Sequence, residues 1–353
     1  MFGPGRGESI AIHLGEGDWM TVDSCRDQVT RRHPVLDYFD REGIDVSTQV
    51  KLVVATHAHD DHVAGISGLY GAAKAASFVA SAAVDSTEFF AQLEVDADIE
   101  RLLRQKVRRE YRTVMDEVEL RADAMSLAPL EFADEGKVLY ARYGTGGALE
   151  ARVTALSPSS AAVLRARKAL ARGLAKEGQR PKLAATDPNE MSIALWVEWG
   201  STHAALLGAD LLTGPARCGW QAVLASHAPN QKAQVFKVPH HGSPTAHHDG
   251  VWADLLTGDV VSVVAPFRGG SVRLPSDTDV ARIVSLSGSA YITASARMPA
   301  AAAPVRRIQA TLSPISTNVR EPYGRVGQVR LRLASDGAWH AEHFSPASPL
   351  KVS

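Results

Sequence analysis

Short apolar runs separated by polar turns mark the chain from its beginning. Residues 9–13 and 19–23 are strand-like runs on either side of Gly-Glu-Gly-Asp at 15–18, a composition typical of a β-hairpin turn. Residues 34–43 fit a short helix, and residues 50–56 form a continuous apolar run of buried-strand length. We therefore predict an opening hairpin, a helix and a buried strand, in that order.

The middle of the chain is predicted to be mainly helical. The pattern from residue 68 to about 140 is that of helices, and a second helix begins after Ser-Pro-Ser-Ser at 157–160 and extends to about 177. A strand at 151–156 separates the two regions. We expect one domain, 1–353, with a helical insertion at about 70–185.

The second half of the chain returns to strand-length apolar runs. They lie at residues 192–198, 204–207, 234–238, 260–265, 290–293 and 328–333. Because strands alternate with helices through both halves, the sequence predicts an α/β fold built in layers.

The charge balance limits the classes of partner. The chain has 353 residues, of which 45% are hydrophobic, and its 38 Lys and Arg face 39 Asp and Glu. Such a chain can bury a core, but its net charge does not attract nucleic acid or acidic membranes as a whole. The stretch 100–112 carries six basic residues against two glutamates, which we interpret as a solvated helix face, with a phosphate-binding surface as the alternative.

Cysteines and apolar segments give an expectation of location. Cys25 and Cys218 are too few for a disulfide framework and form no CxxC pair. No basic segment followed by an apolar run opens the chain, and no run of about 18 apolar residues occurs. We expect a cytoplasmic protein that does not enter a membrane.

The strongest chemical signal is the segment 56–62, Thr-His-Ala-His-Asp-Asp-His. It follows directly on the predicted buried strand and combines three imidazoles with two carboxylates. These are the ligands that Zn²⁺ and related cations prefer. With His57 and His59 at the strand end and Asp61 and His62 on the following turn, two ligand pairs can face two neighbouring metals.

This HxHxDH motif at the end of a buried strand resembles the second motif of the metallo-β-lactamase superfamily. The resemblance implies a four-layer αββα metallo-β-lactamase sandwich that binds two zinc ions, with Mn²⁺ as the alternative. It also implies that Asp23, which ends an early strand, supports the ligand loop through hydrogen bonds. Asp210, after the run at 204–207, would be the carboxylate that touches both metals.

A second motif narrows the resemblance to one branch. Residues 240–243 are His-His-Gly-Ser, similar to the HHGS signature of a branch that includes the hydrolase domain of DNA-uptake competence proteins and the phosphorylcholine esterases. Asn189 and Ser192, before the strand that leads to Asp210, match its companion pattern. By this resemblance His241 is the metal ligand and His240 lies in the substrate pocket. The alternative is the reverse assignment, with His240 as the ligand. We interpret the nearby pair at 247–248 as exposed.

The chain departs from that branch at one position. Relatives usually have a further histidine ligand after the strand that follows HHGS, whereas this chain has Ala-Pro-Phe-Arg-Gly-Gly-Ser-Val-Arg at 265–273. Arg268 and Arg273 in this segment are interpreted as surface arginines, with a phosphate clamp as the alternative.

The resemblance and the motifs together predict a hydrolase. No GxSxG or Cys-His arrangement supplies a nucleophile, so a metal-activated water is the expected one. The expected substrate is a phosphoester, with the enzyme acting as a phosphodiesterase or nuclease and nucleic acid as a possible partner; Asp61 and Asp210 would orient the water, and His240 would assist. The alternatives are a lactam, lactone or thioester hydrolase, and a non-catalytic binding or effector subunit with a degraded site.

Overall fold

The structure is a computed structural model. It describes residues 1–4, 7–27, 30–82, 104–122, 129–174, 188–269, 272–294 and 326–352. The predicted basic stretch 100–112 lies only partly within these ranges.

Eighteen strands lie in the described residues. They are Phe2–Gly3 (β1), Ile10–Gly15 (β2), Asp18–Val22 (β3), Val50–Val54 (β4), Ser77–Ser81 (β5), Leu130–Ala133 (β6), Val138–Tyr143 (β7), Leu149–Ala155 (β8), Leu195–Trp199 (β9), His203–Leu207 (β10), Ala233–Lys237 (β11), Leu256–Val264 (β12), Phe267–Gly269 (β13), Val272–Leu274 (β14), Ser289–Ile292 (β15), Gly327–Leu333 (β16), Trp339–Phe344 (β17) and Ser348–Pro349 (β18).

The α-helices connect these strands. In the described residues they are Pro34–Arg41 (α1), Val46–Gln49 (α2), Asp60–Val63 (α3), Ile66–Ala72 (α4), Arg104–Ala122 (α5), Ser160–Leu174 (α6), Gly219–Ser226 (α7) and Asp277–Leu286 (α8). Short 3₁₀ turns occupy Pro188–Met191, Pro239–Gly242 and Pro244–Ala246.

Two large mixed sheets form the centre of the molecule. The smaller has the order β2-β3-β4-β5-β6, and the larger has the order β18-β15-β12-β11-β10-β9-β8-β7. β3 to β6 run parallel in the smaller sheet, and β10, β11, β12 and β15 run parallel in the larger one. A third sheet, β1-β16-β17, lies beside them, and β13 pairs with β14.

The buried apolar side chains fall into three main clusters that separate four layers. One cluster lies between the two sheets and includes Met20, Val54, Leu195 and Leu207. A second packs α1, α4 and α5 on the outer face of the smaller sheet, and a third packs α7 and α8 on the outer face of the larger sheet. The predicted four-layer αββα sandwich is confirmed.

The layer order explains the apolar runs read from the sequence. β4 has the sequence Val-Lys-Leu-Val-Val. Helices cover one of its faces and the larger sheet covers the opposite face, so four of its five residues are buried. A strand that is covered on both faces is continuously apolar rather than alternating. The opening hairpin, α1 and β4 therefore lie where the sequence predicted them.

The helical prediction for residues 68 to about 140 is wrong in part. α4 and α5 lie there, but so do β5, β6 and β7. β5 is Ser-Phe-Val-Ala-Ser, buried throughout, and periodicity cannot distinguish so short a buried strand from a helix segment. The single domain with an insertion at about 70–185 stays a prediction.

Among the helices in the described ranges, none combines the length and the apolar character needed to cross a membrane.

Candidate metal centre

The ends of four strands bring the predicted site residues together. β3 leads into Asp23, β4 into the segment 56–62, β10 into Asp210, and β11 into His240 and His241. β3 and β4 are parallel neighbours in one sheet, and β10 and β11 are parallel neighbours in the other. Since the carboxyl ends of parallel strands meet at one edge, these side chains share the space where the two sheets face each other.

Asp23 supports the histidine loop, as the sequence predicted. Its carboxylate accepts hydrogen bonds from the main-chain N–H and the hydroxyl of Thr56, each at 2.8 Å. Its Oδ2 also accepts from Nδ1 of His62 at 2.7 Å. Because Nδ1 of His62 is committed to Asp23, Nε2 is the atom that faces the centre of the site.

One carboxylate oxygen of Asp210 is the point on which the centre converges. Asp210 Oδ2 lies 3.3 Å from Nε2 of His62, 3.3 Å from Nε2 of His241 and 3.9 Å from Nε2 of His57. All four side chains are at most 2% exposed. Their separation along the chain shows that the fold itself assembles this cluster.

His241 is the member of the histidine pair that enters the centre. Its Nδ1 donates to the carbonyl oxygen of Ala265 at 3.0 Å, which directs Nε2 inward to within 3.3 Å of Asp61 Oδ2. Ala265 follows β12, in the segment where the resemblance to the HHGS branch implies a further histidine that this chain lacks. In this chain the segment instead supplies a carbonyl that orients His241.

His57 connects His59 to the cluster around Asp210. Nε2 of His57 is 3.1 Å from Nδ1 of His59, and Nδ1 of His57 is 3.0 Å from the hydroxyl of Thr56. His57 is buried, whereas His59 is half-buried. His59 therefore contacts the centre only through His57, and it is the more exposed of the two rings.

His240 lies at the rim of the centre. Its Nδ1 is 3.0 Å from the hydroxyl of Thr245 and its Nε2 is 3.3 Å from the side-chain nitrogen of Asn189. It is half-buried, which leaves part of the ring open to solvent.

The other candidates near the histidine pair lie outside the cluster. His247 and His248 were expected to be exposed, but both are half-buried, because His247 bonds to Asp249 and Trp252. Arg268 is buried and Arg273 is exposed, so the interpretation of two surface arginines is wrong for the first.

The backbone at the centre is strained. Asp23, Ala209, His240 and His241 all have positive φ, between 45° and 58°. L-residues pay on the order of 1–3 kcal/mol for such a conformation, and it persists where the surroundings impose it. Four such residues next to one buried cluster indicate a functional site.

Sequence reasoning missed a buried ion pair in the centre. Nζ of Lys237 lies 2.6 Å from Glu8 Oε1 and 3.5 Å from Asp210 Oδ1. Glu8 also approaches Nδ1 of His62 at 3.8 Å. Two signals were present in the sequence. Lys237 ends the mostly apolar strand β11, and Glu8 lies in a glycine-rich turn.

Opposite charges set the protonation states of the centre. Burial lowers the pKa of His62, but Asp210, Asp23 and Asp61 raise it well above its usual value. The pKa of His241 is raised to about 10, because Asp210 and Asp61 outweigh the effect of burial. In the metal-free protein both rings are therefore protonated on both nitrogens and positively charged at neutral pH.

The remaining groups shift in the complementary directions. Burial raises the pKa of Asp210, but His62 and His241 lower it well below its usual value, and Asp61 is lowered for the same reason. Burial and the charge on His62 hold the pKa of His57 well below its usual value, so this ring is neutral. The carboxylates are thus ionised and available as ligands.

The residues fit a divalent metal ion. Three sets of ligand atoms each lie within 4.8 Å of one another, and all three include His62: His57, His62 and Asp210; Asp61, His62 and His241; and Glu8, Asp23 and His62. Nε2 of His62 is buried and makes no hydrogen bond among the described residues, although Asp210 Oδ2 lies 3.3 Å away, so this nitrogen is available to a ligand. Imidazole nitrogen and carboxylate oxygen are the donors that zinc takes.

The coordinates therefore define an α/β protein of αββα layers with a buried imidazole and carboxylate centre at its strand ends. The sequence matches no protein-family model and no curated protein. Among solved structures, the chain is similar to MEM-A1, a subclass B3 metallo-β-lactamase from a soil metagenome library, with 14% identity over 71% of this chain and 80% of that one and a TM-score of 0.34. It is also similar to the metallo-β-lactamase fold protein YhfI from Bacillus subtilis, with 13% identity over 91% and 90% and a TM-score of 0.34. Similarities of this extent assign no function to this chain.

Proposed function

We propose that this chain is a metal-dependent hydrolase of the metallo-β-lactamase superfamily. The observation that carries the proposal is the convergence of the His57, His62 and His241 rings on Asp210 Oδ2, at 3.3 to 3.9 Å. The buried Nε2 of His62 makes no hydrogen bond among the described residues and faces the Asp210 carboxylate at 3.3 Å, as two ligands of one metal ion would.

In this proposal two metal ions occupy neighbouring positions, with Asp210 as the ligand common to both. Zinc is the proposed ion, with Mn²⁺ as the alternative. The proposed ligands are His57, His59, Asp61, His62, Asp210 and His241. Two divalent cations about 3.5 to 4 Å apart would lower the pKa of a bound water from about 15.7 to about 7 and stabilise a leaving oxygen.

The protein's own side chains supply orientation and charge. Asp61 and Asp210 stay ionised, because the histidines lower their pKa values, so each can accept a hydrogen bond from the attacking water and orient it toward the substrate. Lys237 fixes the second oxygen of Asp210 from the buried side. His240, at the open rim, is placed to contact the substrate or donate a proton to its leaving group.

The substrate that we propose is a phosphodiester, with nucleic acid as one class that contains it. The support is the His-His-Gly-Ser sequence at 240–243, which resembles the branch of the superfamily that acts mainly on phosphodiesters. The rim position of His240 is compatible with this role, because its imidazole there could hydrogen-bond a phosphate oxygen.

A substrate panel with a matched variant tests the proposal. The metal-loaded protein is assayed on bis(p-nitrophenyl) phosphate, DNA, RNA, nitrocefin, an acyl-homoserine lactone and a thioester, with His59→Ala alongside. We expect phosphodiester cleavage that the chelator EDTA abolishes and that His59→Ala lowers by at least about a hundredfold.

Each other outcome assigns a rival. Turnover of nitrocefin, the lactone or the thioester alone would assign an acyl hydrolase. About two equivalents of bound metal without turnover of any substrate would contradict the phosphodiesterase, and no bound metal at all would assign the non-catalytic binding subunit.

A further inference from the structure

The helix α6 packs beside the rim of the metal centre. Its buried face, which contains Ala162 and Ala166, packs against the 3₁₀ turn Pro188–Met191. The same turn contains Asn189, whose side-chain nitrogen lies 3.3 Å from Nε2 of His240. A single short turn therefore connects α6 to the rim at which the proposed substrate enters.

Two cations of α6 lie on the flank that faces this turn. The guanidinium of Arg165 is 3.5 Å from Oε2 of Glu190, the residue that follows Asn189, yet the Arg165 side chain stays 53% exposed. Lys168 is exposed as well. It lies on the same flank as Arg165, because residues three positions apart are neighbours on a helix surface.

A third cation, Arg217, reaches the start of the same helix from another segment. It lies between Asp210 and α7, it is exposed, and its carbonyl oxygen accepts a hydrogen bond from Ser159 Oγ at 2.7 Å. Burial raises the pKa of Cys218, and the charges of Arg165 and Arg217 oppose that rise. Both arginines therefore lie close to the Cys218 side chain, although they belong to separate parts of the chain.

The charge of this surface is positive. Among the described residues, Glu190 is the one carboxylate that pairs with any of the three cations, and its side chain is only 21% exposed. The whole chain has a net charge of −1, so this excess of positive charge is local. From residue 159, beside Arg217, to Lys168 the cations follow about 14 Å of the axis of α6, at 1.5 Å per residue.

We propose that Arg165, Lys168 and Arg217, which we call the basic flank, bind the phosphate backbone of single-stranded nucleic acid beside the phosphate that is cleaved. The inference rests on the proposed phosphodiesterase and names its substrate class, a polynucleotide rather than a small diester. Cations that contact backbone phosphates add affinity and position a strand without reading its sequence. One line of cations along a helix fits one backbone, which favours a single strand over a duplex.

A salt titration tests the basic flank without catalysis. Binding of a fluorescein-labelled single-stranded DNA of about 12 nucleotides to the full chain is measured by anisotropy in EDTA, from about 50 to 300 mM KCl. The logarithm of the affinity falls with the logarithm of the salt concentration by about 0.7 for each phosphate contact. We expect Lys168→Gln and Arg217→Gln each to reduce this slope by about 0.7, and the double variant to reduce it by about 1.4.

Arg167→Gln is the matched control. Arg167 is an exposed arginine of the same helix, but it lies about 160° around the axis from Arg165, so loss of its charge should leave the slope unchanged. Arg165→Gln should also reduce the slope. Because that substitution leaves Glu190 without its partner, the variants at Lys168 and Arg217, which keep this ion pair, decide the test.

A kinetic measurement separates this proposal from the proposed function. With metal, the ratio of kcat/KM for the oligonucleotide to kcat/KM for bis(p-nitrophenyl) phosphate should fall in Lys168→Gln/Arg217→Gln, mainly through the KM of the oligonucleotide. The expected slopes without turnover of either substrate would refute the phosphodiesterase and uphold the basic flank as a nucleic-acid surface. Turnover with unchanged slopes would do the reverse.

Three results would overturn the proposal. They are no binding of the oligonucleotide at the lowest salt concentration, an equal loss of slope in Arg167→Gln, and binding to vesicles with about 30% phosphatidylserine in place of DNA. The last result would assign the basic flank to an acidic membrane surface.

Discussion

Removal of the buried charge on Lys237 tests the electrostatic account of the centre. Nζ of Lys237 lies 2.6 Å from Glu8 Oε1, which corresponds to about 6 kcal/mol of attraction at an effective dielectric constant of ~20. Loss of one partner of a buried pair costs about 3 to 5 kcal/mol, because the other charge stays buried without compensation. We expect Lys237→Met to lower the free energy of unfolding of the metal-free protein by this amount in urea.

The pH dependence identifies the cause of that loss. Burial already raises the pKa of Glu8, and Lys237 is the largest effect that lowers it, so without Lys237 the folded-state pKa rises further. A raised pKa gives stability that is present at low pH and lost as pH increases. The penalty of Lys237→Met should therefore grow as the pH rises above 4.5, the ordinary pKa of a glutamate, by at most about 1.4 kcal/mol per pH unit.

The matched control removes both charges. In Glu8→Gln/Lys237→Met no buried charge of the pair is left uncompensated, so we expect most of the stability to return. If the double variant is as unstable as Lys237→Met, or if the single variant loses less than about 1 kcal/mol, the electrostatic reasoning is refuted.

Further substitutions and a titration probe the metal ligands. Asp23→Asn should weaken metal binding about 10- to 100-fold, measured by competition with a chromophoric chelator, because His62 loses its orienting acceptor; unchanged affinity would contradict that role. Metal addition at pH 7 should release at least about one proton in an unbuffered titration, since the raised pKa values of His62 and His241 keep both rings protonated beforehand; no release would contradict those states. In the metal-free protein the stability from His241 is complete below pH 6.5 and is lost as pH rises toward about 10, so the melting temperature should fall over that interval, and a rise would oppose the shift. His240→Ala should keep the metal content by mass spectrometry and lower kcat, whereas loss of metal would make His240 a ligand.

Local sequence identified much of the centre. His57, His59, Asp61 and His62 lie within six residues at the end of a run that could be recognised as a buried strand, so their proximity needed no knowledge of the fold. Asp210 and His241 also follow apolar runs. Because these strands are parallel and buried, their carboxyl ends determine where the side chains go.

Features that depend on tertiary contacts could not be predicted from the sequence. Glu8 and Lys237 are 229 positions apart, so their ion pair exists only through the packing of the two sheets. β5 was obscured because five small and apolar residues fit a helix equally well. Arg268 was interpreted as exposed because arginine usually is, whereas here, within β13, it is 8% exposed.

Anomalous diffraction at the zinc edge, from crystals grown with Zn²⁺, would show whether metal binds at the cluster around Asp210. We expect two peaks about 3.5 to 4 Å apart, one beside His57 and the other beside His241, with Asp210 Oδ2 between them. The absence of any peak within coordination distance of Asp210 would contradict the assignment of this cluster as a metal centre.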